Sequence, residues 1–246
     1  MIAGRRLRAI ALAVVVLVIL GVLAGLVWAH TVMAGDRSAA LDVWRNDAIT
    51  VTSTEEAIIL APSDGDSTTG LVFVPGAKVD PYAYMYKLSG IVEDGTTVVI
   101  TKPTLNLAIA DLRPLDAFTS AASGVDQWFV GGHSLGGVKA CQYAADNETI
   151  GLVLFGSYCS SDLSDSGLPV LSFVGENDGL STPVKIADAA GTLPDDAVTV
   201  EIPGANHADF GDYGVQPGDG ESEANESEVR QTITDEFRAW AATTAG

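Results

Sequence analysis

Residues 127–145 read QWFVGGHSLGGVKACQYAA, and this stretch decides the fold. Its apolar start, 127–130, predicts a buried strand, and 135–145 predicts a helix. Between them, residues 132–136 match the G-x-S-x-G pattern, in which a sharp strand-to-helix turn exposes the serine hydroxyl. The N-terminus of the helix adds positive partial charge where an oxyanion would form. The pattern therefore predicts that Ser134 is a nucleophile.

A serine nucleophile needs a general base, which is usually a histidine. The chain has three histidines. His30 lies at the end of an apolar N-terminal segment, and His133 is the neighbour of the serine in a tight turn, where the side chain normally points elsewhere. His207 follows the last predicted strand, so its side chain can reach across the sheet edge. We expect His207 to be the base and His133 to serve local packing.

The imidazole in turn needs a carboxylate to orient it. Asp178 lies just after the strand predicted at 169–174, and the chain order serine, aspartate, histidine is the order typical of a G-x-S-x-G site. The three residues follow separate strands, at the carboxyl ends where open α/β sheets place their sites. Asp178 is therefore the expected partner of the base, with Glu176 and Asp162 as alternatives.

An oxyanion hole needs two backbone N–H donors that point at the developing charge. Leu135, the residue after the nucleophile, is expected to supply the first. The second is expected from Ala77, in the loop 75–78 that follows an early strand. Nearby, Tyr82 and Tyr86 are spaced to share one face of a helix, either for core packing or for contact with a substrate.

The remaining sequence alternates between strands and helices after an initial β-hairpin. Alternation of this kind implies a mainly parallel sheet with helices on both faces. The predicted strands are 48–53, 57–61, 71–74, 97–101, 127–130, 151–155, 169–174 and 197–202. The predicted helices are 81–92, 112–122, 135–145, 182–190 and 226–242.

The N-terminal segment 9–29 contains no charged residue. A helix of that length spans about 30 Å, the thickness of the hydrocarbon core of a bilayer. Arg5, Arg6 and Arg8 precede it, so the positive-inside rule places the N-terminus in the cytoplasm and the rest of the chain outside. A signal peptide cleaved near 32–34 is the alternative, and it would secrete the same domain. The predicted division is a basic cytoplasmic tail at 1–8, a transmembrane anchor or uncleaved signal at 9–29, a stalk at 30–47 and an α/β domain at 48–246.

The net charge of −19 is unevenly distributed along the chain. No acidic residue precedes Asp36, so residues 36–246 hold all 32 acidic residues and ten of the 13 basic ones, a balance of −22. This charge argues against nucleic-acid binding, which needs clustered Lys and Arg. It suits a high-salt environment or an ordinary envelope protein. We expect no cofactor and no metal, with calcium in the acidic loop 203–225 as the alternative to a plain surface loop.

The two cysteines, Cys141 and Cys159, fall in the part of the chain that is predicted to be exported. An oxidising compartment permits a disulfide, and the spacing matches no metal site. We expect two buried free thiols, with a disulfide as the alternative.

Together, the motifs resemble the alpha/beta-hydrolase superfamily over nearly all of residues 55–243. The chain looks most like the small dienelactone-hydrolase-like branch without a large cap domain, although that branch uses a cysteine where Ser134 stands. The resemblance implies an eight-stranded, mostly parallel sheet, a Ser-His-Asp triad and hydrolysis through an acyl-enzyme. The motifs that carry it are GHSLG at 132–136, GENDG at 175–179, Asn206-His207 and Pro75-Gly76-Ala77.

The leading hypothesis is a membrane-anchored, extracytoplasmic serine hydrolase that cleaves a small-molecule or lipid-like carboxylic ester. A thioesterase, lactonase, amidase or acyltransferase would use the same residues, because a fold does not determine a reaction. A non-catalytic envelope binding protein on a hydrolase scaffold is the alternative from a different functional class.

Overall fold

The computed structural model describes residues 2–65 and 67–244. Its centre is an eight-stranded sheet with the strand order β1-β2-β4-β3-β5-β6-β7-β8. The first two strands are antiparallel to their neighbours and the other six run parallel. The predicted eight-stranded, mostly parallel sheet is therefore confirmed. The strands are β1 Ile49–Ser53, β2 Ala57–Pro62, β3 Thr69–Val74, β4 Thr97–Thr101, β5 Gln127–His133, β6 Gly151–Phe155, β7 Val170–Gly175 and β8 Val198–Ile202.

In sequence the helices come before, between and after the strands. Short 3₁₀ turns occur at Pro81–Tyr84, Thr104–Asn106, Ala108–Ala110, Ala190–Thr192 and Ala208–Phe210. The α-helices are α1 Ile2–His30, α2 Arg37–Trp44, α3 Met85–Glu93, α4 Asp116–Thr119, α5 Leu135–Asp146, α6 Pro183–Ala189 and α7 Glu226–Thr244.

The helix predicted at 112–122 is wrong in length, because only α4, a single turn, forms there. Asp111 holds the preceding residues in a turn, since its Oδ1 accepts hydrogen bonds from the backbone N–H and the Nε–H of Arg113. Pro114 follows and has no N–H to contribute to a helix. The pairing of Asp111 with Arg113, together with Pro114, therefore limits the helix to one turn although the apolar pattern predicts a longer one.

The core lies on both faces of the sheet, because successive side chains of a strand point to opposite faces. In β3, Leu71 and Phe73 pack on the face covered by α3 and α7, while Val72 and Val74 pack on the face covered by α4 and α5. The strand order reverses at β3, which has β4 on one side and β5 on the other. Ligands of open α/β sheets bind at such a reversal, outside the carboxyl ends of the strands.

The helix α1 is long and apolar enough to cross a membrane over Arg5–His30, and the mean hydropathy of its most apolar 18 residues is 3.2. By length and composition a signal sequence would pass the same test. The residues after it, in the segment predicted to be a stalk, contact the domain. Met33 pairs with Val79 in a parallel bridge, and the Asp36 N–H donates to the Asp212 carbonyl at 2.5 Å.

Cys141 and Cys159 form a disulfide, so the expectation of two free thiols is wrong. Cys141 lies on α5, Cys159 lies in the loop after β6, and their Cα atoms are 5.6 Å apart. The fold brings the two buried side chains together although they are 18 residues apart in sequence. The bond ties the helix that follows Ser134 to a loop at the carboxyl edge of the sheet.

Loss of this disulfide is expected to lower the free energy of unfolding by about 3 kcal/mol, the entropy cost of closing a loop of this size. The measurement is guanidinium denaturation of the wild type and of the Cys141→Ala/Cys159→Ala double variant. Dithiothreitol should lower the midpoint of the wild type and leave that of the double variant unchanged. An unchanged wild-type midpoint under reducing conditions would contradict the assignment.

Candidate active site

Ser134 stands at the tip of the turn between β5 and α5. Its backbone has φ 53° and ψ −125°, a conformation that L-residues rarely adopt and that is typically found at functional sites. The Ser134 N–H donates to the Phe155 carbonyl at 3.0 Å, and its own carbonyl accepts from the Ser157 hydroxyl at 2.7 Å. A Cβ at Gly136 would overlap the Val74 carbonyl oxygen, so only glycine lets the helix start this close to β3.

His207 and Asp178 are hydrogen-bonded to each other. Nδ1 of His207 lies 2.7 Å from Oδ2 of Asp178, and both side chains are buried. The other carboxylate oxygen, Oδ1, accepts from the N–H groups of Leu180 and Ser181 at 2.8 and 2.7 Å. The carboxylate is therefore held from both sides, and it fixes the orientation of the imidazole.

The second ring nitrogen of His207 is unlike the first, because it makes no bond to Asp178. Nε2 is buried and has no hydrogen-bond partner among the described residues. Its ring lies beside that of His133, the residue before Ser134, with the ring centroids 4.4 Å apart. In the described part of the chain His207 is paired with the aspartate, and no hydrogen bond joins the Ser134 hydroxyl to the histidine.

Asp219, in the acidic loop, holds the histidine loop against the aspartate loop. Its Oδ1 accepts from the N–H groups of His207 and Gly179, at 3.1 and 3.0 Å, and its Oδ2 accepts from that of Ala208 at 2.9 Å. Asp219 therefore positions both partners of the pair. Sequence reasoning missed this role, because nothing in a loop with so many acidic residues singles out one of them.

The loop after β3 approaches the same turn. The Ala77 N–H has no acceptor among the described residues, whereas the next N–H, that of Lys78, donates to the Asn106 carbonyl at 2.8 Å. Leu135 is the first residue of α5, where N–H groups lack partners inside the helix. The backbone of Val74 and Pro75, just before Ala77, lies against Gly136 in the first turn of α5. The segments that carry the two predicted oxyanion donors, Ala77 and Leu135, are therefore neighbours.

Tyr84 links the loop 75–78 to the turn that carries Ser134. Its hydroxyl accepts from the Gly76 N–H and bonds Nδ1 of His133, both at 2.9 Å. Burial raises the pKa of Tyr84, so the phenol keeps its proton. Burial, and to a smaller extent the charge of His207, lower the pKa of His133. His133 is therefore a neutral structural residue, in agreement with the packing role expected for it.

Sequence reasoning missed Tyr84, because the i,i+4 spacing drew attention to Tyr82 and Tyr86. In the structure these two are only partly buried and pack against the core, and the Tyr82 hydroxyl bonds the Ser53 hydroxyl at the surface. The sequence feature that could have indicated Tyr84 is its position between two other tyrosines, shortly after the loop 75–78.

Replacing Tyr84 by phenylalanine is expected to lower the free energy of unfolding by about 1–3 kcal/mol, because it leaves buried polar partners without a hydrogen bond. Tyr82→Phe is the matched control and should change it by less than about 0.5 kcal/mol, since its partner is exposed. Urea denaturation of the two variants measures the difference. Equal effects of the two substitutions would show that the buried hydroxyl does not hold the loop.

The two alternative carboxylates lie away from the imidazole. Glu176 is exposed, and its Oε2 accepts from the Gly204 N–H at 2.8 Å. Asp162 is also exposed and bonds the hydroxyl and N–H of Ser164. Neither is paired with His207 in the described chain, so the geometry favours Asp178.

Two cavities are lined by residues next in sequence or space to the pair of His207 and Asp178, although neither lining includes these two residues or Ser134. A cleft of about 740 Å³ lies on the acidic side, where Asp212, Asp219 and Glu226 line it. A second cavity, of about 400 Å³, is bordered by Ser157 and by apolar side chains, and these include Val174, Ile186 and Leu193. The second cavity has the more apolar lining of the two. Ser157, whose hydroxyl donates to the Ser134 carbonyl, is one of its lining residues.

A family model described as the alpha/beta hydrolase family matches residues 70–231, more than half of the chain. The chain belongs to the alpha/beta hydrolase family. The match includes Ser134, Asp178 and His207, and the superfamily predicted from the sequence motifs is confirmed. The roles of the three residues in this hydrolase stay a prediction.

Among solved structures, the hydrolase is similar to Est1E from Butyrivibrio proteoclasticus. The TM-score is 0.56 at 11% sequence identity, and the similarity covers 79% of this chain and 99% of that one. At this identity the similarity shows a shared fold. No curated protein matches the chain.

Proposed function

We propose that this hydrolase cleaves carboxylic esters through an acyl-enzyme on Ser134. One observation carries the proposal: the buried His207, whose Nδ1 is bonded to Asp178, lies next to the strained strand-to-helix turn that carries Ser134. The ring centroids of His207 and of His133, the residue before the serine, are 4.4 Å apart. This arrangement supports the roles of nucleophile, general base and orienting acid.

In the proposed acylation, the Ser134 oxygen attacks the acyl carbon while its proton passes to Nε2 of His207. Asp178 stabilises the imidazolium through the hydrogen bond to Nδ1. The N–H groups of Ala77 and Leu135 hold the oxyanion of the tetrahedral intermediate. The intermediate collapses, the bond from the acyl carbon to the alcohol oxygen breaks, and the imidazolium protonates the leaving alcohol.

In the proposed deacylation, water takes the place of the alcohol. His207 accepts one proton from the water as its oxygen attacks the acyl carbon, and the same two N–H groups hold the second oxyanion. The bond from the acyl carbon to Ser134 then breaks, and the proton returns to the serine oxygen. The products are a carboxylic acid and the free enzyme.

We also propose that α1 anchors the enzyme in a membrane and that the domain lies outside the cytoplasm. The apolar length of the helix and the arginines before it support the anchoring and its direction. The disulfide between Cys141 and Cys159 supports an oxidising compartment.

The test of the reaction is a panel of short and long p-nitrophenyl esters with matched thioesters and lactones. We expect turnover of the esters, with kcat/KM at least about tenfold above that of the matched thioester, a difference of about 1.4 kcal/mol in transition-state stabilisation. Labelling of the wild type by a fluorophosphonate probe shows whether a serine is activated. Labelling without turnover of the esters would show an activated serine that acts on a different class of acyl substrate. An absence of both labelling and turnover would favour a binding protein.

A further inference from the structure

The C-terminal end of α1 rests on the loops that border the active site. Ala29 is buried, and its carbonyl accepts from the side-chain amide of Asn106 at 3.1 Å. Next to it, the Trp28 ring lies under the ammonium group of Lys78, 4.1 Å from the ring centroid. Lys78 directly follows Ala77, the predicted oxyanion donor, so the proposed anchor meets the domain at the edge of the catalytic site.

The rest of α1 projects away from the domain. Its most apolar stretch has no residue buried against the remainder of the chain. Met33 and Asp36, directly after the helix, are bonded to the domain, so no long flexible linker separates the helix from the site. A bilayer around this helix would therefore begin next to the carboxyl edge of the sheet.

That edge also exposes large apolar side chains. Leu112 and Val215 are more than 90% exposed, and Ile109 is 65% exposed. Leu112 is held at this edge because the neighbouring Arg113 donates to the carbonyl of Lys102, the residue after β4. The exposed apolar residues on segments that follow the carboxyl ends of strands include Leu105, Ile109, Leu112, Leu135, Val184 and Val215, and we call this set the apolar rim.

Both edges of the sheet carry exposed carboxylates, and at the carboxyl edge these include Glu176, Glu221 and Glu223. The opposite edge differs in that few large apolar side chains are exposed beside its carboxylates among the described residues. The turns that lead into β4, β5, β6 and β8 carry exposed carboxylates, which suit contact with water. These include Asp94, Asp126, Asp146, Glu148, Asp195 and Asp196. Charged side chains stay in water, whereas exposed apolar side chains beside a membrane-spanning helix gain free energy by entering the interface.

We propose that the apolar rim lies on the bilayer surface, so that Ser134 faces the membrane and takes its ester substrate from the lipid phase. The partner is a lipid bilayer, and the substrate class is an ester with an acyl chain long enough to reside in it. This inference rests on the proposed anchoring and ester hydrolysis. Water-soluble short esters would reach the same serine only through the solvent.

The first test measures orientation and does not depend on activity. The full chain carries an environment-sensitive NBD fluorophore on Leu112→Cys, on Val215→Cys or, as the control, on Val198→Cys, an exposed position at the amino edge. After reconstitution in phosphatidylcholine vesicles, the two rim labels should shift their emission to the blue and be quenched by brominated lipid. The Val198 label should respond like the free dye in water. Equal, water-like emission from all three would overturn the proposal.

The second test measures delivery of substrate. Relative to wild type, Ile109→Ser/Leu112→Ser should lower turnover of a long-chain umbelliferyl ester dissolved in the vesicles by about tenfold, since two apolar contacts with the interface are lost. Turnover of p-nitrophenyl acetate should stay within about twofold, and Val198→Ser should change neither rate. Equal loss on both substrates would overturn the proposal.

Fluorophosphonate labelling distinguishes a failure of the proposed membrane orientation from a failure of the proposed reaction. If the variants and the wild type are labelled equally while the rim labels stay in water, the hydrolase assignment stands and the orientation is wrong. If the wild type is not labelled, the reaction is wrong, and the NBD emission still decides which edge faces the bilayer.

Discussion

Replacement of Ser134 by alanine is expected to lower kcat for ester hydrolysis by about 10⁶-fold, the scale on which loss of a triad serine acts. The reason is that no other oxygen takes its place on the turn between β5 and α5, so the acyl-enzyme cannot form. What remains is hydrolysis by water at a site that still has its oxyanion donors. The measurement is the initial rate with p-nitrophenyl butyrate, together with labelling by a fluorophosphonate probe.

Ser123→Ala is the matched control for this substitution. Ser123 is exposed on the turn that precedes β5, at the opposite edge of the sheet. Its replacement should leave both the rate and the labelling unchanged. Labelling of the Ser134→Ala variant at the wild-type level would remove Ser134 from the mechanism.

Asp178→Asn should lower kcat by about 10⁴-fold, with a much smaller change in KM. Asparagine fits the same space and keeps an oxygen for the N–H groups of Leu180 and Ser181. Its amide group, placed at Oδ2, would donate to Nδ1 of His207 and hold the imidazole in the wrong tautomer. Nε2 would then carry a proton and could not accept the one from the serine.

Glu176→Gln is the control, because Glu176 is the nearest alternative carboxylate in sequence. Among the described residues its side chain accepts one hydrogen bond, from the Gly204 N–H, and glutamine can keep it. We expect kcat within about threefold of wild type, as for a surface substitution away from the site. A larger loss in Glu176→Gln than in Asp178→Asn would reverse the assignment of the orienting acid.

The class of fold was predictable from local pattern. The apolar run before GHSLG and the amphipathic stretch after it predict β5 and α5, and the structure places them at Gln127–His133 and Leu135–Asp146. The hairpin of β1 and β2 and the alternation of strands and helices are also local signals. Prediction failed at 112–122, where a pairing between Asp111 and Arg113 keeps the first residues of the segment out of the helix.

The contacts that support the candidate site were not predictable in the same way. Tyr84 meets His133 across 49 positions of sequence, and Asp219 meets His207 across 12. The disulfide partners are adjacent only because α5 and the loop after β6 lie side by side. Such contacts depend on how distant segments come together, and one chain without relatives to compare carries no direct record of them.

The amino-acid sequence by itself determined the alternating architecture, the apolar N-terminal segment and the choice of Ser134, Asp178 and His207 as candidates. It did so because periodicity, turn chemistry and the scarcity of histidine are properties of short stretches. Only the tertiary structure decided that the cysteines pair, that Tyr84 and Asp219 hold the candidate site together, and that α1 ends beside the loop 75–78. Those facts follow from packing between segments far apart in the chain, where sheet order and burial decide which side chains meet.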